Sequence, residues 1–192
     1  MSGVCQLSDA PIDIGLPEKM TFADNGSSVE IVRTWFGPKF LIMGAFAVVW
    51  NGFLVFWYAK AISAANALML LFPVLHVCIG VGLTYYVVAG FLNKTQVYAD
   101  ARGLYIRHRP VWWFGNRNID PADLKQLYVK EKQMQGRGGS YAMYEVRAIT
   151  HSGHNIKIVG GLDAQEQGIF IEQKIEQFFD IENAAVPGEV GR

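Results

Sequence analysis

Phe40 to Ala59 reads FLIMGAFAVVWNGFLVFWYA, twenty consecutive residues without a formal charge. At 1.5 Å of rise per residue such a run makes a helix about 30 Å long, the thickness of a bilayer's hydrocarbon core. Lys39 and Lys60 bracket it, placed to extend their ammonium groups toward head groups. Trp35 and Phe36 stand at one end and Trp57 and Tyr58 at the other, in the manner of interfacial aromatic belts. Asn66 to Leu92, NALMLLFPVLHVCIGVGLTYYVVAGFL, is equally free of charge, and Pro73 is expected to kink it or end its first turns. A chain of 192 residues has too little remaining material to bury two such segments on all sides. The expectation is a transmembrane helical hairpin within residues 36–93, with helices at about 40–59 and 66–92. They should run antiparallel, because only Lys60 to Ala65 joins them.

Charge orients this hairpin. The whole chain is neutral, with 17 basic and 17 acidic residues. Residues 1–35 carry two basic and five acidic groups, net −3; residues 94–160 carry eleven and five, net +6; residues 163–192 carry two and seven, net −5. The link holds only Lys60, whereas Arg33 and Lys39 precede the first helix and Lys94, Arg102, Arg107 and Arg109 follow the second. The positive-inside rule then puts both termini in the cytoplasm and the link outside. Residues 1–17 read as an irregular, acidic segment without a secretory signal or a lipoprotein cleavage site. A disulfide between Cys5 and Cys78 is not expected, since one cysteine lies in a polar stretch and the other in an apolar helix. With no CxxC pair, a zinc ribbon is excluded.

After Lys94 the pattern changes to short alternating runs with turn residues between them, the signature of antiparallel strands. Residues 95–100 and 103–109 form a hairpin across Ala101-Arg102. Residues 124–132, 141–150 and 155–159 are further strands, with a flexible turn at residues 136–140 and another around Gly153. Upstream, residues 20–24 and 29–35 flank Asn25-Gly26-Ser27-Ser28, a hairpin signal that places residues 18–35 in the same domain. The membrane hairpin is then an insertion between strands. Asp163, with Glu166 three residues on, is the expected N-cap of a closing helix whose Ile171, Ile175, Phe178 and Phe179 make an apolar stripe. Glu172 and Glu176 read as its solvated face. The fold class expected is a membrane α-helical hairpin plus α+β. Residues 94–182, together with the strands of residues 18–35, would form an antiparallel PH-like barrel or sandwich of about seven strands with a C-terminal amphipathic helix, and residues 183–192 a tail.

Candidate functional residues are few. Arg102, Arg107, His108, Arg109 and Arg117 form a basic group near the membrane, suited to lipid head groups or an acidic partner, or simply a solvated face. Trp112-Trp113-Phe114 is either an interface or core; at strand period Trp112 and Phe114 share one face and Trp113 takes the other. Asn51 and His76 lie within the helices, where an unpaired polar group is costly. Each is expected to hydrogen-bond for packing or assembly, with a proton, metal or cofactor site at His76 as the alternative. His151 and His154 lack a third metal ligand. Gly136-Arg137-Gly138-Gly139 lacks the lysine and the helix of a phosphate loop. No nucleophile motif or carboxylate pair is present, and no cofactor, metal or nucleic-acid partner is expected.

Several of these features together carry a resemblance. They are Trp35, Trp50, Trp57-Tyr58, the stretch RPVWWFGNRNI at 109–119, the helix IEQKIEQFF at 171–179 and Val186-Pro187-Gly188-Glu189. Over roughly residues 18–190 the chain resembles bacterial membrane proteins with a transmembrane hairpin and a PH-like cytoplasmic domain, a group mostly of unknown function. It departs from those that carry an N-terminal zinc ribbon, having only Cys5 there. The resemblance implies an inner-membrane location and no catalytic residues. The expected role is a non-catalytic scaffold or accessory subunit packing against other membrane-protein subunits or forming a homo-oligomer. The alternative is a free-standing regulatory protein that binds anionic membrane lipids.

Overall fold

The computed structural model describes residues 14–136, 139–182, 184 and 186–190. The expectations for Cys5, for most of segment 1–17, for Arg137 and Gly138, and for residues 183, 185, 191 and 192 fall outside the described residues. The chain divides into two compact units: Val32–Val97 with Tyr105–Arg117, and the remaining described residues. Among the described residues, eight strands form a five-stranded sheet in the order β1-β2-β3-β4-β5 and a three-stranded sheet β6-β7-β8. β2 (Ser28–Thr34) and β3 (Lys94–Asp100) are neighbours in their sheet although 59 residues lie between them, and the helical hairpin fills that gap.

The helical unit holds α1 (Pro38–Ser63), a short α2 (Ala67–Leu71) and α3 (Val74–Leu92). α1 and the span Ala67–Leu92 are each 26 residues, long and apolar enough to cross a membrane, yet only 17% and 11% of their most apolar windows are buried. A core helix of a water-soluble protein would be largely covered. α1 begins earlier and ends later than expected. Pro38, with its fixed φ, starts it, and Lys60 lies within it, its ammonium 5.7 Å from the Phe56 ring. The link therefore shrinks to three residues, Ala64 to Asn66, and Asn66 caps α2 by accepting the Leu68 and Met69 N–H groups. Pro73 separates α2 from α3. Having no N–H, it leaves the Met69 carbonyl without its i+4 donor, and the Trp57 indole of α1 donates to that carbonyl at 3.0 Å. A sequence-local break is thus repaired by the neighbouring helix.

Close packing of α1 on α3 depends on glycines. A methyl group on Gly90 would meet Phe40 ring carbons at 2.0–2.4 Å, and one on Gly80 would meet Asn51 Oδ1 at 2.9 Å and Trp50 at 3.2 Å. Phe40 is 3% exposed, so its ring is held in the Gly90 notch.

In the other unit the turns form from their own residues. Asp24 Oδ1 accepts the Gly26 N–H, and Asp100 Oδ1 accepts those of Arg102 and Gly103. β6 (Leu124–Gly136) and β7 (Gly139–Thr150) pair as far as Gly136 with Gly139. The flexible turn expected at residues 136–140 is therefore strand at both ends, because ladder hydrogen bonds outweigh the coil preference of the glycines. β5 (Arg117–Ile119) and the 3-10 turn Pro121–Asp123 were not anticipated; three residues carry too little alternation to read. β8 (Asn155–Leu162) continues past the expected Val159. On β7, Arg147 donates to Glu145 at 2.7 Å and to Asn155, and the Glu145 carboxylate holds the guanidinium above its ordinary pKa. A raised basic pKa stabilises below the unfolded value and is lost only as pH rises through the folded one, so the Arg147 shift adds no pH dependence near neutrality.

α4 (Gln165–Phe179) packs on β6, β7 and β8. Its cap position is Ala164, one residue later than expected, with no capping side chain. Asp163 instead pairs with Lys19 at 3.2 Å, and Gln167 Oε1 accepts the Asp163 N–H. The close approach of α4 to β6 is at Gly168, where a Cβ would stand 2.8 Å from Val129. Ile171 and Ile175 are buried as the stripe predicts, whereas Phe178 and Phe179 are half-buried. The larger correction concerns the acidic face. Glu172 and Glu176 are 1% and 5% exposed, and Glu176 Oε1 accepts the Leu127 N–H of β6 at 3.0 Å. β6 is an edge strand whose outward donors and acceptors need partners. Glu176 supplies one, and the tail supplies another, with Val190 N–H donating to the Val129 carbonyl at 2.9 Å.

Candidate functional site

β4 (Gly103–Arg109) is followed by a loop, Pro110 to Asn116, that returns to α3 before β5 begins. Asn93, just past the end of α3, seats this loop. Its Nδ2 donates to the Val111 carbonyl at 2.9 Å, and its Oδ1 accepts the Val111 N–H at 2.7 Å. Its own N–H donates to Ala89, and its carbonyl accepts from the Trp35 N–H. Asn93 is fully buried with every polar group engaged. One residue thus joins the helix end, the strand that enters α1 and the loop.

Trp113 is the loop's inward residue. Its ring stacks on Tyr85 at 6.1 Å and 8°, and lies 6.0 Å from Tyr86 and 5.3 Å edge-on from Trp35. The Tyr85 hydroxyl donates to the Trp112 carbonyl. Trp35 is itself held, its Nε1 donating to Thr95 Oγ1 at 2.7 Å, and Thr95 Oγ1 lies 3.0 Å from His108 Nδ1. Gly115 completes the turn at φ +103°, with His108 Nε2 only 3.1 Å from where a Cβ would be, so both conformation and space require glycine. Trp112 and Phe114 face outward, 61% and 74% exposed, with their rings edge-to-face at 4.5 Å. Core is therefore not the role of this cluster as a whole: Trp113 packs against α3 and Trp35, and its two neighbours remain outside. The inward and outward split expected of a strand persists, although the loop is not a strand.

The basic residues do not form one group. Arg107 donates through Nη1 to the carbonyls of Ile106 and Arg117 and lies 5.9 Å from the Tyr105 ring, so its guanidinium braces the loop. Arg109 and Arg117 flank the aromatic loop and are exposed. Arg102 sits in the turn at the opposite end of β4, its side chain 87% exposed, 3.6 Å from Asp100.

Inside the hairpin, Asn51 Nδ2 donates to the Ala47 carbonyl at 2.7 Å and to Thr84 Oγ1 at 3.1 Å, while Thr84 donates to the Gly80 carbonyl at 2.8 Å. Asn51 thereby joins α1 to α3. An open apolar groove of about 860 Å³ runs beside it, lined by Gly44, Ala47, Val48, Val81 and Val88 among others. His76 lies between the Trp50 and Phe72 rings at 5.8 and 5.9 Å, and its backbone carbonyl accepts the Trp50 indole N–H. Its Nδ1 is buried without a hydrogen-bond partner. No group of three or more metal-ligating side chains occurs among the described residues, and His154 Nδ1 meets Ser152 Oγ within its own turn.

Asn93, Thr84 and Tyr85 were not singled out from sequence. Asn93 carried one signal, a polar residue immediately after an apolar helix; Thr84 and Tyr85 carried none beyond being polar in an apolar run. No protein-family model matches this chain, and no curated protein matches it.

Proposed function

We propose that this chain is a non-catalytic integral membrane protein of the bacterial inner membrane, a scaffold or accessory subunit whose hairpin packs against the helices of other membrane subunits. The observation that carries this reading is the outer surface of the hairpin. Its apolar helices are barely covered, and the groove between them is lined mostly by small side chains, Gly44, Ala47 and valines, with Tyr85 among them, beside the Asn51–Thr84 pair. In lipid no hydrophobic force drives helices together, so association relies on close packing at small residues, which such a groove offers. The finer fold reading is a PH-like domain on the cytoplasmic side, supported by two antiparallel sheets and a C-terminal helix lying on β6–β8. Both termini are then cytoplasmic, following the excess of Lys and Arg on the outer flanks of the hairpin. This domain would dock on the cytoplasmic face of the same partner.

Purification of the full chain in mild detergent tests the role. Stable co-purification with other membrane subunits is expected, and Val48→Trp with Val81→Trp, which fill the groove, should release them while leaving the helical circular dichroism unchanged. A monomer that carries no other subunit refutes it. Topology is separable: an engineered thiol at Ser63 should react with an impermeant reagent from outside intact cells. The regulatory alternative, binding of anionic head groups, draws on Arg109 and Arg117 alone, because Arg102 neighbours Asp100 and Arg107 braces backbone carbonyls.

A further inference from the structure

The exposed aromatic pair Trp112–Phe114 is held against the side of a membrane-length helix rather than at its end. Tyr85, which bonds the Trp112 carbonyl and stacks on Trp113, lies seven residues before Leu92, where α3 ends. Seven residues are about 10 Å of helix rise. The head-group layer on one side of a bilayer is only roughly 5–8 Å thick, half the difference between total and hydrocarbon thickness. If α3 crosses the membrane with Leu92 near the surface, the loop lies alongside the helix at the depth where head groups give way to acyl chains. That is the zone preferred by large aromatic rings with a polar margin.

Rigidity points the same way. Asn93 grips both backbone groups of Val111, Trp113 is wedged among Trp35, Tyr85 and Tyr86, and Arg107 ties Arg117 to β4. The loop tip is therefore held in place while two large apolar side chains are left uncovered. Arg109 and Arg117, exposed on either side of it, are of the sign that phosphate groups attract. We infer that residues 111–115 form a lipid-inserted wedge: Trp112 and Phe114 enter the boundary between head groups and acyl chains beside α3, giving the chain a third membrane contact besides its two helices. The wedge rests on the membrane-spanning reading, not on the scaffold role.

The test uses the full chain carrying Cys5→Ser, Cys78→Ala and Phe114→Cys, labelled with an environment-sensitive fluorophore and reconstituted in phosphatidylcholine–phosphatidylglycerol vesicles. Phe114 is 74% exposed and packs only on Trp112's ring among the aromatic contacts, so its replacement leaves the fold intact. The expected result is blue-shifted emission, quenched by lipid bearing a nitroxide near the head group, less by a mid-chain nitroxide, and hardly by aqueous iodide. Quenching by iodide without quenching by lipid would place the tip in water and overturn the wedge. Protection from both quenchers would mean that protein covers it, which also overturns it. Either failure leaves the Ser63 topology result standing, so the two readings fail separately.

Discussion

Gly90→Ala is the sharpest perturbation the hairpin offers. The added methyl carbon would lie 2.0, 2.1 and 2.4 Å from Phe40 Cε1, Cδ1 and Cζ. Carbon atoms in contact rest at about 3.5–4.0 Å, so the ring or the helix must yield by roughly 1.5 Å. Phe40 is 3% exposed and packs on Tyr86 and Phe91 at 5.5 and 6.5 Å, which leaves the ring no free direction. Overpacking of this kind costs about 1–3 kcal/mol. Alanine returns about 1 kcal/mol through helix propensity, so a net loss of up to about 2 kcal/mol is expected. Gly52 and Gly82 have nothing within 4 Å of a Cβ, so alanine there should be neutral or stabilising by up to about 1 kcal/mol. The assay is SDS titration of the full chain in mild detergent, followed by far-UV circular dichroism and by α1–α3 disulfide crosslinking. In a Phe40→Ala background, where the ring is gone, the Gly90→Ala penalty should vanish. The reasoning is refuted if Gly90→Ala and Gly82→Ala behave alike, or if the penalty survives removal of the ring.

Three further outcomes follow from single contacts. Glu176→Leu strands the buried Leu127 N–H and should destabilise by about 1–3 kcal/mol in chemical denaturation, whereas Glu176→Gln keeps an acceptor and should cost about half as much; equal losses would deny the hydrogen bond its role. Asn51→Val and Thr84→Val should each weaken the hairpin modestly, with a coupling energy of about 0.6 kcal/mol and at most about 1.7, read from a double-mutant cycle in the same SDS assay. Asn93→Ala releases Val111 from both its hydrogen bonds, so trypsin should cut after Arg117 faster than in the parent chain, with cleavage elsewhere unchanged; an unchanged rate at Arg117 would show that the aromatic packing alone holds the loop.

Elements whose cause is local were legible without the fold. A charge-free run of twenty residues specifies a helix and its minimum length, and Asp24 and Asp100 form their turns with amides two or three residues away. Every strand but β5 announces itself by alternation, to within a few residues at its ends; β5 is too short to alternate. What depended on the far side of a contact was not legible. Helical spacing shows that Glu172 and Glu176 share a face, but an edge strand lying beneath that face turns it from solvated to buried. Alternation parts Trp113 from Trp112 and Phe114, but it is Tyr85, Tyr86 and Trp35, distant in sequence, that draw Trp113 inward and leave the other two exposed. Asn93 looks like an ordinary helix end until Val111 arrives against it. Sequence by itself determined where the apolar helices lie and how the chain turns, because those follow from neighbours a few bonds away. Tertiary structure alone decided which polar groups are buried and which aromatics remain free, because burial depends on what another part of the chain brings to the same place.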